Sequence, residues 1–273
     1  TAKDRRISAI RCRHLIIFAK PRFYYDSYTD FWTLVRLSDF DWCYVDQIDL
    51  KSKNTYIVTM VDHKRDEWHL SWWQRIRKTA RLILWDLERP KPRGGLKADK
   101  RYLHSLSFDE IWHSDAQMAR DLGNKFVILG SDEKLGKKPF RFKRYDFAPM
   151  CYINGRRGII LEELKRIAPN AWGRQRQDIL RGSKFGLAIH QDNDLYIEPL
   201  RLALFASYEL PIISEDTCGI SPLSDYLLTS DYDNLVSFCL KCLEDYQYMT
   251  QLGKELKQKL CFDYNFGNMV RYA

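Results

Sequence analysis

One stretch, from His190 to Glu215, combines residue types that could bind and transfer a polar group. Within it Glu198 precedes Pro199, and a proline there fits the first position of a helix, which makes Glu198 the cap residue. Glutamate is a poor helix cap compared with Ser, Thr, Asp or Asn. The mismatch predicts that this carboxylate accepts hydrogen bonds from ribose or sugar hydroxyls. A local ion pair with Arg201, three residues further on, is the alternative.

A second candidate segment reads Asn154-Gly155-Arg156-Arg157-Gly158. Its glycines let the backbone approach an anion, and its arginines neutralise charge, so the segment predicts a cradle for a diphosphate. The free N–H groups at the start of the helix after Glu198 could serve a phosphate as well. Because Arg156 and Arg157 are adjacent, we expect one of them to dominate phosphate binding. An Asn-Gly turn without further use is the alternative.

Metal binding is not expected from the sequence. Asp192 and Asp194 flank Asn193 in an Asp-x-Asp arrangement, but their place inside the polar loop before Glu198 indicates solvated loop acids. No cluster of His, Cys and Asp has the spacing of metal ligands.

The seven cysteines indicate a reducing compartment, because their number is odd and their spacing is irregular. Cys239 and Cys242 form a Cys-x-x-Cys pair, but the sequence holds no second pair. They share one stripe of a predicted helix with Leu235 and Tyr246, which predicts core packing rather than metal or redox chemistry. No signal peptide is visible, and no apolar run approaches the roughly 18–20 residues of a spanning helix, so a cytoplasmic protein is expected.

The elements that position these residues follow from short apolar runs that alternate with helix-like stretches. In the N-terminal part the predicted strands are 15–18, 42–45, 56–61, 81–85, 111–113 and 126–129, and the predicted helices are 29–38, 71–79 and 115–122. This alternation is typical of a mostly parallel sheet covered by helices.

The alternation breaks between Lys134 and Arg144, a segment with six bases and no acid that predicts a linker. After it the predicted strands are 148–153, 185–190 and 212–214, and the predicted helices are 158–167, 174–181 and 199–208. Two further helices are predicted to close the chain, one of them at 233–249. The sequence therefore predicts an α/β protein with two Rossmann-like domains, 1–140 and 141–273, facing a cleft.

The stretch around Glu198 resembles the donor-binding segment of GT-B glycosyltransferases, in particular the glycosyltransferase group 1 and spore-maturation-like branch. The match rests on Glu198-Pro199-Leu200-Arg201, on Ala203 and Ala206, and on the run from Leu210 to Glu215. Two positions depart from the family pattern. Glu209 stands where the family usually has glycine, and Leu204 stands where many members have a second glutamate. The resemblance covers about residues 147–270, and the N-terminal half only as a domain type.

The resemblance implies a nucleoside-diphosphate sugar as co-substrate, with no bound cofactor and no metal, because a helix end and basic side chains stabilise the leaving diphosphate. The donor-binding residues that follow are Gly155, Arg156, Arg157, His190, Asn193, Glu198, Pro199, Leu200 and Arg201. The N-terminal half is expected to hold the acceptor. An inverting transfer needs a base there, and the candidates are Asp26, Asp62 and Glu88, although a helix cap or a loop charge is the commoner role for each acid taken singly.

The formal net charge of +8 is unevenly spread. Residues 185–235 hold nine acids and one base, so the first 184 residues carry the positive excess, which suits an anionic partner. The leading hypothesis is sugar transfer to a hydroxyl of a glycan-type acceptor. One alternative is a glycosyltransferase that acts on a hydroxymethylated base of DNA, with the basic part on the phosphates and aromatic side chains stacking a flipped base. The other is a non-catalytic nucleic-acid-binding protein.

Overall fold

A computed structural model describes residues 14–18, 29–38, 40–44, 55–59, 69–87, 105, 107–171, 173–190, 198–216 and 222–273. In these ranges the strands form two separate sheets, and all pairings within each sheet are parallel. The predicted α/β class with Rossmann-like alternation of strands and helices is confirmed. Among the described residues no helix combines the length and the apolar character that crossing a bilayer needs.

The first sheet has six strands in the order β2-β1-β3-β4-β5-β6. They are β1 (His14–Phe18), β2 (Asp41–Tyr44), β3 (Thr55–Thr59), β4 (Arg81–Asp86), β5 (Glu110–His113) and β6 (Lys125–Phe126), with helices α1 (Thr29–Leu37), α2 (His69–Ile76) and α3 (Ala116–Leu122). The order reverses at β1 and β3, which makes their carboxyl ends a topological switch point, where open α/β sheets bind ligands.

Strands β3 and β4 lie at the centre of this sheet because they are apolar on both faces, as parallel strands covered by helices must be. Residues 56–58 and 82–85 are buried without exception. Trp85 stacks on Phe266, with the ring centroids 5.7 Å apart, and it meets Trp112 edge to face. The first core is therefore built around a tryptophan to which the end of the chain contributes.

The second sheet has four strands in the order β10-β9-β8-β7. They are β7 (Tyr145–Ala148), β8 (Ser183–Ala188), β9 (Ile212–Glu215) and β10 (Leu227–Ser230). The accompanying helices are α4 (Gly155–Glu163), α5 (Gly173–Arg181), α6 (Pro199–Ser207), α7 (Leu235–Glu244), α8 (Tyr246–Gln258), a π-helical segment (Lys259–Asp263) and α9 (Phe266–Tyr272). Gly186 of β8 lets α6 pack closely, because a Cβ there would lie 2.4 Å from Cγ of Phe205.

Helices α6 and α9 connect the two halves. Ala203 of α6 belongs to the apolar cluster around the first sheet, and Leu200 packs against that cluster. Phe205 of α6 belongs to the cluster of the second sheet. Phe266 and Val270 of α9 return to the first cluster. Helix α6 therefore lies between the two sheets, while the domain boundary at residue 140 stays a prediction.

Several predicted elements need correction. The strand predicted at 148–153 is wrong, because β7 ends at Ala148 and Met150 adopts a left-handed φ of 41°, after which α4 begins at Gly155. The helix predicted at 233–249 is two helices, α7 and α8, that meet at Asp245. The strand predicted at 126–129 ends at Phe126. Strand β10 and a third helix after it were not predicted.

Candidate functional site

The candidate site lies at the carboxyl edge of the second sheet. Arg156 and Arg157 lie in the first turn of α4, which follows β7. Glu198 occupies the cap position of α6, which follows β8, but its side chain makes no capping hydrogen bond. Glu215 is the last residue of β9. Because parallel strands all end at the same edge, these three connections converge, and hydrogen bonds join them. The structure thus brings together two segments that the sequence places about 40 residues apart.

Arg157 and Arg201 hold the Glu198 carboxylate between them. One Nη of Arg157 lies 2.5 Å from Oε1 of Glu198, and Arg201 pairs with the other oxygen. Arg157 also donates to the carbonyl oxygens of Ile189 at 2.8 Å and Tyr152 at 3.2 Å. Burial lowers the pKa of Arg157, and the nearby Arg201 adds to that shift. The Arg157 side chain is only 3% exposed, whereas that of Glu198 is 39% exposed, so the carboxylate is the group that faces solvent.

Arg156 binds the other carboxylate of the edge. Its guanidinium makes a two-pronged ion pair with Glu215 and lies 3.7 Å over the ring of Tyr232. The Tyr232 hydroxyl donates to the Arg156 carbonyl at 2.7 Å. The hydrogen bonds to Glu215 raise the pKa of Arg156 above its ordinary value. Arg156 therefore ties α4 to the end of β9, whereas Arg157 ties it to the end of β8.

His190 is buried just after β8 and holds the backbone of the neighbouring strand. The backbone N–H of His190 donates to the Glu215 carboxylate at 3.1 Å, and the ring Nε2 lies 3.1 Å from the Asp216 carbonyl oxygen. Burial lowers the pKa of His190, so the ring is neutral at neutral pH, and a carbonyl partner assigns the remaining proton to Nε2. The imidazole supports the edge, and its described contacts are all with the protein.

The start of α4 is open. Asn154 occupies the cap position, but its side chain makes no capping hydrogen bond, and its buried Oδ1 has no partner within the described part of the chain. The first N–H groups of a helix have no partner inside the helix. A Cβ added to Gly155 would meet nothing within 4 Å. Among the described residues, no protein atom thus fills the space beside Gly155, at the helix end where backbone N–H groups lack partners within the helix.

The predicted site residues divide into three groups. Gly155, Arg156, Arg157, His190, Glu198, Pro199 and Arg201 lie at this edge. Leu200 is next to them in sequence, but its side chain packs towards the first sheet. Asn193 and the base candidates Asp26, Asp62 and Glu88 lie outside the described residues, as do Asp192 and Asp194.

Sequence reasoning missed two residues of this edge. Glu215 ends the stretch that begins at His190, but no role was predicted for it. Tyr232 was not predicted as a site residue. A carboxylate at the end of a strand that otherwise reads as apolar was the signal for Glu215. It also missed that both arginines would be engaged by carboxylates and backbone carbonyls, because those partners are distant in sequence.

The cysteine pair behaves as the helical stripe predicts. Cys239 and Cys242 are buried in the same apolar cluster as Leu235, and Tyr246 packs against that cluster. Burial raises the pKa of Cys239 to about 12, which leaves the thiol protonated and unreactive. Among the described residues, no three side chains of His, Cys, Asp or Glu converge as metal ligands.

No family model matches the chain. The chain is similar to Uncharacterized protein L140 of Acanthamoeba polyphaga mimivirus, with 30% identity over 105 residues, which is 36% of this chain and 33% of that protein. The chain thus spans about a third of the length of this curated relative. The printed name of the relative assigns no activity.

Proposed function

We propose that the chain is a glycosyltransferase of the GT-B type, which moves a sugar from a nucleoside-diphosphate donor to a hydroxyl of a glycan-type acceptor. The observation that carries the proposal is the open start of α4 beside an exposed carboxylate that two arginines hold in place. The first feature suits a phosphate and the second suits a hydroxyl, and a nucleotide sugar offers both groups.

The phosphates would bind to the backbone of α4. The accessible N–H groups at Gly155 and after it point along the positive end of the helix dipole, and anions bind there readily. The three arginines of the edge pair with two carboxylates, Glu198 and Glu215, and Asp233 also acts on the charge of Arg156, so most of their positive charge is already matched. In this proposal the arginines hold the edge in place, because their N–H groups already donate to the protein.

Glu198 would accept hydrogen bonds from hydroxyls of the ribose or the sugar. A carboxylate has about four acceptor positions, and Arg157 and Arg201 use two of them. The rigid hold on Glu198 lowers the entropy that a hydroxyl contact would otherwise cost. This role explains why a glutamate, rather than a better capping residue, stands before Pro199.

The acceptor would bind at the first sheet. The base candidates Asp26, Asp62 and Glu88 follow β1, β3 and β4 in sequence, and these strands are neighbours around the switch point of that sheet. Deprotonation of the acceptor hydroxyl by one of these acids stays a hypothesis. Helix α6 packs towards this sheet through Leu200 and Ala203, so the donor edge begins on a helix that both sheets share.

The proposal is tested by incubating the chain with UDP, GDP and dTDP sugars and measuring released nucleotide with and without glycan acceptors. Duplex DNA with hydroxymethylated bases belongs in the same panel. Nucleotide release that depends on a glycan supports the proposal. Release only with the modified DNA would favour the DNA-modifying enzyme. Salt-dependent DNA binding without release from any donor would favour a non-catalytic protein.

Gly155→Ala is expected to weaken nucleoside-diphosphate binding about tenfold without lowering the melting temperature. The new methyl group meets no protein atom but would occupy the side from which a phosphate approaches. Gly158→Ala is the matched control, because the Gly158 N–H already donates to the Asn154 carbonyl at 2.6 Å and the nearest neighbour of a new Cβ, Cγ2 of Ile153, lies at an ordinary 3.9 Å. Calorimetric titration and thermal unfolding of both variants measure the effect. Equal affinities would place the phosphate elsewhere.

Donor turnover is expected to persist in excess EDTA. The positive end of the α4 dipole and its backbone N–H groups, which the arginines of the edge hold in place, offset the charge of a leaving diphosphate. Turnover with and without chelator measures this directly. A collapse that manganese or magnesium restores would instead point to Asp192 and Asp194 as ligands.

A further inference from the structure

The amino edge of the second sheet, opposite to the candidate site, carries a group of exposed basic residues. We call them the basic edge: Lys137, Lys138, Arg141, Arg144 and Arg166. Arg144 directly precedes β7, and Arg166 contacts the carbonyls of residues 143 and 144 at 2.8 and 3.0 Å. Arg181 connects the segment to α5 by donating to the Lys138 carbonyl at 3.0 Å. Three separate parts of the chain therefore form one surface.

The loop in this surface is fixed at both ends. The N–H of Phe140 donates to the Arg181 carbonyl at 2.8 Å, and the N–H of Arg144 donates to the Gly182 carbonyl at 2.8 Å. The ring of Phe140 lies under the Arg181 guanidinium, 3.9 Å away. Between these anchors Phe142 is 81% exposed. The backbone thus holds a phenyl ring out into solvent at the tip of a short, pinned loop.

The charge of the basic edge is not compensated locally. Asp146 is matched by Lys184 at 2.9 Å and by Arg166 at 3.3 Å, and Asp178 is matched by Arg181 at 3.5 Å. In the described ranges, the other four members of the basic edge have no carboxylate within ion-pair distance.

Lys143 is not counted among the exposed bases. Its Nζ donates to the Arg181 carbonyl at 3.0 Å, and burial lowers its pKa to about 8. The positive charge of the surface thus comes mainly from Lys137, Lys138, Arg141 and Arg144, and the Arg141 guanidinium lies 5.8 Å from the Phe142 ring.

We propose that the basic edge and Phe142 form a docking surface for an anionic lipid membrane. An apolar side chain that enters the boundary of the bilayer, framed by bases that contact the headgroups, is the combination that gives reversible membrane association. Single-stranded nucleic acid is instead bound by stacking successive bases on several aromatic rings. Phe142 is the one strongly exposed aromatic side chain of the loop between Phe140 and Arg144. This inference does not depend on the proposed transferase activity.

Docking in this way would leave the candidate site free. Strands β7, β8 and β9 are four to six residues long, so the two edges of the sheet are about 13–20 Å apart. A chain bound through the basic edge would present α4 and Glu198 away from the lipid.

The test is co-sedimentation of the full chain with phosphatidylcholine vesicles, with and without phosphatidylserine. Binding is expected only with phosphatidylserine and is expected to fall as salt rises. Replacing Lys137, Lys138, Arg141 and Arg144 by Gln should abolish it, because each base near the surface contributes about fivefold. Phe142→Ser should reduce it roughly tenfold.

Matched controls are a Lys241→Gln, Lys254→Gln double variant, which removes exposed lysines of α7 and α8, and Phe262→Ser, which removes another exposed phenylalanine. Both should bind as the unchanged chain does. The proposal is overturned if the unchanged chain binds vesicles with phosphatidylserine no better than vesicles without it. It is also overturned if the control variants lose as much binding as the basic-edge variants. Tight binding to DNA that Phe142→Ser leaves intact, without vesicle binding, would overturn it in favour of nucleic acid.

Discussion

Arg157→Ala is expected to lower the free energy of unfolding by about 2–4 kcal/mol. The substitution removes the donor for the Tyr152 carbonyl and the shorter of two hydrogen bonds to the Ile189 carbonyl, which keeps a 3.3 Å bond from Arg201, and a hydrogen bond from a charged group is worth about 1.5–3 kcal/mol. The ion pair with Glu198 adds little to this figure, because Glu198 is 39% exposed and water screens it. Urea-induced unfolding of the variant and the unchanged chain measures the difference.

Arg77→Ala provides the control for this prediction. Arg77 pairs with Asp109 at 2.8 Å, but its side chain is largely exposed, so its loss should cost at most about 1 kcal/mol. Arg157→Lys should recover only a small part of the stability, because a lysine keeps the charge but cannot donate to several carbonyls from one planar group. If Arg157→Ala unfolds at the same urea concentration as Arg77→Ala, the arginine does not hold the edge together.

Glu198→Gln is expected to reduce donor turnover by about ten- to a hundredfold. The amide keeps the shape of the side chain but loses the charged acceptor, and a hydrogen bond to a charged group is worth about 1.5–3 kcal/mol. The amide keeps one oxygen for one of the two arginines and turns its NH2 group towards the other, so a modest fall in the melting temperature is expected while the chain still folds. Released nucleotide and the melting temperature are measured on the same preparation.

Glu209→Gln is the matched control, because Glu209 follows the other end of α6 and also forms an ion pair, with Lys257 at 3.0 Å. It should leave turnover unchanged. Full activity of Glu198→Gln would remove Glu198 from the donor site. Loss of folding together with activity would mean that the carboxylate serves only to hold the two arginines.

The class of fold was readable from the sequence because apolar runs such as Tyr56 to Val58 and Leu82 to Trp85 are buried on both faces, as in a covered parallel sheet. The end of β7 was missed although Pro149, which cannot donate to a sheet, directly follows Ala148. The run after Pro149 stays apolar, and the hydrophobic pattern does not indicate the left-handed turn at Met150. The break at Asp245 was hidden for a similar reason, since α7 and α8 continue one apolar stripe.

The candidate site could be predicted only where its contacts are local. The pair of Glu198 and Arg201 spans three residues and was foreseen as an alternative to ligand binding. The partners of Arg157 and Arg156 lie 41 and 59 residues away, at Glu198 and Glu215, and a single sequence does not indicate such pairings. These pairings occupy the guanidinium groups. The groups of the site that face solvent are therefore the Glu198 carboxylate and the start of α4.

The most direct test of the account is a structure of the chain with the nucleoside diphosphate that binds best in the donor panel. We expect the phosphate oxygens within hydrogen-bond distance of the N–H groups from Gly155 to Arg157, and a ribose or sugar hydroxyl on Glu198. A diphosphate bound instead near Arg174, Arg176 or Lys184, or at the edge of the first sheet, would contradict the account. So would the failure of every nucleotide in the panel to bind.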